Sequence, residues 1–268
     1  MANWVINRLR IDGQDADKMF KDLLIKDDNN EWRFDFNKIL PMPKDLEIIC
    51  GSITDKCFEV YLSTLSESQA IKERNKCIDS TLFPYLSKDR YNIKSKEEID
   101  QIVDDAINKW SNSKDPEDPV FKTKEDVIAY GKRVSDNIKK YGSKDWYDWR
   151  VKNWGTKSNA CNTLYAEDCP EEIQFETAWS DVRELILKLS KLYPKIRIEY
   201  DYAEEQVGYY AGRCVYKNGC LMDERYPEYS KEAYEMYFDL WGEDDRFVFD
   251  EKTNNYKYIE DEDDEEMS

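Results

Sequence analysis

Four short segments of this chain alternate apolar and polar residues with a period of two, and that pattern constrains the fold more than any other feature. In residues 4–11, Val5, Leu9 and Ile11 share one face while Arg8 and Arg10 share the other. Residues 32–36, 174–179 and 196–202 repeat the alternation. A period of two is that of a half-buried strand. Between the first two segments, Ala16, Met19, Phe20, Leu23 and Leu24 form a stripe at helical spacing, with Asp15 placed to cap it. Between the last two, Leu185, Ile186, Leu189 and Leu192 do the same, opened by Ser180 and closed by Pro194. Asn218-Gly219 is a two-residue hairpin signal joining 208–217 to 220–224. Ser230 then opens an amphipathic helix that reaches Trp241.

These patterns predict an α+β fold: a ferredoxin-like antiparallel sheet made of split βαβ units plus a hairpin, with a large helical insertion. The insertion is read at 50–140, where Ser66 to Ile78 has helical composition. In 95–110, Ile99, Ile102, Val103, Ala106, Ile107 and Trp110 share a face behind a Ser95/Glu98 capping box. Thr123 and Asp126 open a further helix to Tyr141, with Val127, Ile128, Val134 and Ile138 inward. The expected organisation is a discontinuous domain of 1–45 and 140–241, the insertion 50–140, and an acidic tail 242–268 read as disordered.

Chemistry is constrained by what is missing. The 268 residues contain no histidine, which excludes a Ser-His-Asp triad, a Cys-His pair and an HExxH zinc site. Gly208, Gly212 and Gly219 form no phosphate-binding fingerprint, and pairs such as Asp104-Asp105 lack calcium-loop spacing. No cofactor, no metal and no catalytic residue is predicted. Seven cysteines without a CxxC are expected to be free thiols of a reducing cytoplasm. In the hairpin, Lys217 is expected to face Cys220, and Cys214 to face Asp223, which keeps the two thiols apart. No apolar run is long enough to span a bilayer and the first residues do not resemble a secretory signal, so a cytoplasmic location is expected.

The net charge is −18, and residues 239–268 hold thirteen acidic against three basic residues. Such a balance opposes direct nucleic-acid binding, where Lys and Arg supply the affinity. It favours encounter with a basic surface of another protein.

The aromatic run Tyr141-Gly-Ser-Lys-Asp-Trp-Tyr-Asp-Trp-Arg150, continued by Asn153-Trp-Gly-Thr-Lys157 and later by Phe175-Glu-Thr-Ala-Trp179, is the most distinctive motif. Together with the opening Trp4, Asn7 and Leu9, it resembles the YubB family of ferredoxin-like domains of phage and plasmid proteins, over about 1–45 and 140–220. The chain has Ser158 where that family's pattern has a tryptophan. The resemblance implies an antiparallel sheet with helices and a mobile-element origin, and no settled activity.

From charge, missing chemistry and resemblance, the expected function is a non-enzymatic phage or mobile-element protein. It would bind and inhibit a host protein of the infected cell, in the first place a nucleic-acid-handling nuclease or effector of antiviral defence. Candidate partner-binding residues are Asp145, Trp146, Asp148, Trp149 and Arg150 of the aromatic motif, where rings and an Arg can anchor a partner. The acids Asp239, Glu243, Asp244 and Asp245 complete the set. A homo-oligomer is compatible with the sequence. The structural alternative places the tryptophans in the core. Two further alternatives are an enzyme acting on nucleic acid or nucleotides through Asp145 and Asp148, with Arg150 and Lys157, and a single-stranded nucleic-acid module using exposed Tyr200, Tyr202, Tyr209 and Tyr210.

Overall fold

The computed structural model describes residues 3–12, 16–27, 29–80, 94–114, 118–166, 168–169 and 171–259. The predicted cap Asp15, part of the break at 115–119 and the acidic run 260–266 lie outside the described residues. In chain order the elements begin β1 (Trp4–Asp12), α1 (Ala16–Leu23), β2 (Leu24–Lys26), β3 (Trp32–Phe34), α2 (Ser52–Leu62), α3 (Glu67–Ser80), α4 (Lys96–Trp110) and α5 (Lys124–Tyr141). They continue with α6 (Trp146–Trp154), β4 (Cys161–Leu164), β5 (Glu172–Ala178), α7 (Arg183–Leu192), β6 (Arg197–Glu204), β7 (Ala211–Lys217), β8 (Cys220–Arg225), α8 (Lys231–Trp241), β9 (Phe247–Asp250) and β10 (Asn255–Tyr258). They form two compact units, Met1–Pro41 with Asn153–Ser268, and Met42–Lys152.

The first unit is built on an antiparallel sheet of order β4-β5-β1-β6-β7-β8. Its four strands β4-β5-β1-β6, with α1 following β1 and α7 between β5 and β6, are the ferredoxin-like arrangement, extended at the β6 edge by the β7-β8 hairpin. The alternation in β1 works as its sequence predicts. Val5, Leu9 and Ile11 are buried on the face they share with Phe175, Ile198 and Tyr200. The opposite face carries Ile6, Arg8 and Arg10 beside Ala203, Asp201 and Glu199. Helix α8 covers its apolar end, where Met236 and Leu240 pack with Ile6, Ala203 and Ala211.

Three local readings are corrected. The segment at 32–36 does not supply the second strand of the fold; β4 does. Instead β3 pairs with β2 in a separate ribbon, Leu24 opposite Phe34. Its neighbouring amides bond to side chains rather than to a ladder: Phe34 N–H donates to Thr163 Oγ1 and Phe36 N–H to Asn159 Oδ1. Ser180 does not cap α7; its hydroxyl donates to Gly155 O, and Asp181 Oδ1 accepts from the Arg183 amide. In the β7-β8 hairpin Lys217 faces Cys220, but an irregularity between Val215 and Tyr216 puts Glu224, not Asp223, opposite Cys214. All seven cysteines are free thiols.

The predicted disorder of the tail is also corrected for 247–258, where β9 and β10 form a hairpin. Its cross-strand partners are aromatic pairs, Phe249 with Tyr256 and Phe247 with Tyr258. Tyr234 and Phe238 of α8 extend the same cluster, with Tyr256 at ring-centroid distances of 5.6 and 5.1 Å. Ring-on-ring packing, rather than charge, decides this segment.

The second unit is helical. It takes in the whole of 50–140 and runs beyond it at both ends. The Ser95/Glu98 capping box forms as its sequence predicts, and Thr123 and Asp126 open α5 with a second capping box. Helices α2 and α5 approach closely at Gly131, where an added Cβ would lie 2.0 Å from the Cys57 carbonyl oxygen. Phe58, Leu62, Val134 and Ile138 fill one side of this contact, and Cys57, Val60, Val103 and Val127 the other. Among the described residues no helix is long and apolar enough to cross a membrane.

Candidate protein-binding surface

The aromatic motif divides between core and surface. Asp145 caps α6, its Oδ1 accepting from the Asp148 amide at 3.1 Å. Asp145, Asp148 and Trp149 are buried, so these three partner-binding candidates are not on a surface. A ring and a carboxylate used as helix anchors must leave solvent, which removes them from docking. The catalytic alternative requires Asp145 and Asp148 in an open cleft, whereas both side chains are buried. Lys157, the fourth residue of that alternative, lies over the Trp179 ring at 6.0 Å. Trp146 and Arg150 remain partly exposed, with the guanidinium over the indole at 5.0 Å. They line an open groove of about 1270 Å³ together with Phe121, Tyr130 and Arg133.

The electrostatics around Asp145 are those of crowded, dry carboxylates. Burial, then the charge of Asp145, pushes Asp148 up to about 6. Burial also raises Asp145, and it pushes the Cys50 thiol up to about 12. Lys144 is paired to Asp55 at 2.6 Å, both largely buried. Burial acts to lower the Lys144 pKa, but the Asp55 charge outweighs it. The Oδ2 atoms of Asp145 and Asp148 find no hydrogen-bond donor within bonding distance among the described residues. No cluster of three metal-ligating side chains occurs among the described residues.

The tyrosines assigned to a nucleic-acid platform are placed otherwise. Tyr200 and Tyr202 are buried on the helix-covered face. Tyr210 donates to Asp181 Oδ2, and Tyr209 is exposed outside the strands. Beyond its apolar end, the sheet face beside α8 carries charge instead of rings, with Asp201 and Arg8 buried. There Asp201 receives Arg8 at 3.1 Å and Arg213 through two hydrogen bonds, with Arg10 also paired to it.

The acidic candidates fare differently from the aromatic motif. Asp239 on α8 accepts a charged hydrogen bond from Arg8, which pulls its pKa down and ties the helix to the sheet. Asp244 is held by the Arg246 guanidinium at 2.7 and 2.9 Å, and that pairing lowers its pKa. Glu243 and Asp245 are exposed and make no ion pair among the described residues. With Asp244 they rim a groove of about 460 Å³ whose other walls are Glu235, Phe238, Phe247, Phe249 and Tyr256. Phe249 is 40% exposed and Tyr258 54%, and Val248 and Ile259 are exposed beside them. Large apolar side chains thus stand open beside two carboxylates that make no ion pair among the described residues. The sequence reading missed the aromatic half. Its signal was the alternation Phe247-Val-Phe249 and Tyr256-Lys-Tyr258 around an Asp- and Asn-rich turn.

A family match supports the ferredoxin-like fold in the second half of the chain. A family model described as the ferredoxin-like domain in Api92-like protein matches residues 154–244. No curated protein matches the chain. Among solved structures, the api92 protein of Yersinia pseudotuberculosis is similar over 84% of this chain and 98% of that one, at 12% identity and a TM-score of 0.38. The chain is thus similar, through its second half, to the ferredoxin-like domain of Api92-like proteins.

Proposed function

We propose that this chain is a non-enzymatic binding protein that engages a basic surface of a partner protein through α8 and the β9-β10 hairpin. The observation that carries this reading is one groove whose wall includes the exposed Phe249 and whose rim carries Glu243 and Asp245, neither of them in an ion pair among the described residues. The long-range part comes from residues 239–268, whose excess of acid steers a cationic surface toward the groove. The rings then supply the short-range part, because aromatic area at an interface centre carries most of the binding energy. Proteins that handle nucleic acid present the complementary surface, since phosphate binding requires clustered Lys and Arg. In its finer form, resting on the sequence resemblance, the partner is such a component of a host's antiviral defence, and the contact inhibits it.

The test is affinity capture from host lysate with the wild-type chain and with a Glu243→Lys, Asp245→Lys variant. Recovery of a specific basic nucleic-acid-binding protein by the wild type alone, weakened by added salt, is the expected result. Capture of the same protein by both chains would dismiss the acidic groove as the contact.

A further inference from the structure

We infer that the groove between α8 and the β9-β10 hairpin seats an arginine side chain of the partner, and that Lys231 occupies the edge of this seat in the free chain. The inference rests on the protein-binding reading above and names the group recognised. Lys231 Nζ stands 4.9 Å from the centre of the Phe249 ring and 3.6 Å from Glu235 Oε1. Phe249 and Glu235 are both walls of the groove. The chain's own lysine therefore marks where a cation is stabilised: on the face of an open ring, within reach of a carboxylate.

The geometry favours a guanidinium over an ammonium. The Phe249 and Tyr256 rings meet edge to face, 5.4 Å apart and inclined by 67°. A planar group can lie flat on one ring of such a corner while its N–H edge points outward. Glu243 and Asp245 stand on the rim with no ion pair among the described residues. Guanidinium has the planar face for the ring and the fork of donors for a carboxylate, and it is less strongly hydrated than ammonium. Lys231 reaches the ring from the first turn of α8, where a positive charge opposes the helix dipole. Its hold is weak enough to be displaced.

A short capped peptide of alternating arginine and glycine is the probe, titrated into the full-length chain at low salt. Lys231→Ala is expected to bind it about fivefold more tightly than wild type, by freeing the ring and removing one positive charge. Lys252→Ala makes the same charge change on the hairpin turn, where the lysine makes no cation–ring contact with Phe249 among the described residues, and is expected to gain no more than about twofold. Phe249→Leu keeps an apolar side chain but removes the π face, and should erase the difference between the two lysine variants. A capped peptide of alternating lysine and glycine should bind less tightly than the arginine peptide to wild type and to both lysine variants. Equal gains for Lys231→Ala and Lys252→Ala overturn the arginine seat while leaving an acidic docking surface standing. Undiminished peptide binding by Glu243→Gln, Asp245→Gln would instead remove the docking surface itself.

Discussion

Tyr200 donates its phenolic proton to Asn7 Oδ1 at 2.5 Å, with both side chains wholly buried under the helices of the ferredoxin-like sheet. The bond is one link of a chain. The Val182 amide donates to Tyr200 Oη at 2.9 Å, Asn7 Nδ2 donates to Thr177 Oγ1 at 2.8 Å, and Thr177 Oγ1 donates to Ser180 O at 2.7 Å. It joins β1, β5 and β6 to the start of α7. Tyr200→Phe leaves Asn7 Oδ1 and the Val182 amide without this partner, at a cost of about 2 kcal/mol. A lowered urea midpoint, with faster amide exchange at Val182, is the expected outcome. An unchanged midpoint would mean that the chain contributes nothing to stability.

At Gly131 the backbones of α2 and α5 come close enough to leave no room for a side chain. Alanine there should be favoured within α5 by about 1 kcal/mol of helix propensity. Its Cβ would nevertheless collide with the Cys57 carbonyl and with Tyr61 Cβ at 2.8 Å, neither of which is a flexible chain end. Gly131→Ala is therefore expected to destabilise by about 3 kcal/mol net, through separation of α2 and α5. Loss of exchange protection confined to those helices would confirm it, and a rise in melting temperature would refute it.

Asp148 gives the helical unit a pH dependence that a histidine-free chain does not obtain from imidazole. Its pKa of about 6 lies above the ordinary carboxylate value of about 4, so the folded unit holds a proton that the unfolded chain releases. The groups facing it are Asp145, Lys144, Lys152 and Asp55. The stabilising effect of that proton is full below about pH 4 and is lost as the pH rises through about 6. Asp148→Asn, neutral at every pH, should be more stable than wild type by about 2 kcal/mol at pH 8 and no more stable at pH 4. Thermal melts at the two values measure this directly. A variant less stable at pH 8 would show that the ionised carboxylate is needed.

Asp201 acts in the opposite direction. Burial works to raise its pKa, but Arg213, Arg8 and Arg10 outweigh burial and hold it below the usual range. Its stabilising charge is present above about pH 4 and lost as pH falls through the lowered value. Asp201→Asn leaves three guanidiniums converging on a neutral amide, and should cost about 3 kcal/mol at pH 7. Wild type and variant should then converge on acidification. Equal urea midpoints at pH 7 would mean that Asp239 and Glu199 suffice to hold the arginines.

The elements whose burial is decided by their own pattern were legible in advance. Strand β1, helix α5 and the Ser95/Glu98 capping box follow from spacing alone, because side-chain direction is fixed by the local period. The candidate site was legible only in its charge. Glu243 and Asp245 stand out as acids, but an acidic run also describes a solvated tail. The choice between these depended on whether Phe247, Phe249, Tyr256 and Tyr258 found rings to pack on. Those rings are Tyr234 and Phe238 of α8, and no local period reveals that the hairpin folds back to them.

The sequence by itself therefore determined that β1, β5, β6, the β7-β8 hairpin and helices α4, α5, α7 and α8 form, where two helices begin, that imidazole chemistry is absent, and the sign of the field around the molecule. Tertiary structure alone decided that β4, rather than 32–36, completes the sheet, that Asp145, Asp148 and Trp149 are buried, and that the acidic end carries a folded aromatic hairpin. The physical reason is range. Periodicity and charge are summed over neighbours along the chain, whereas burial is set by which distant surfaces meet.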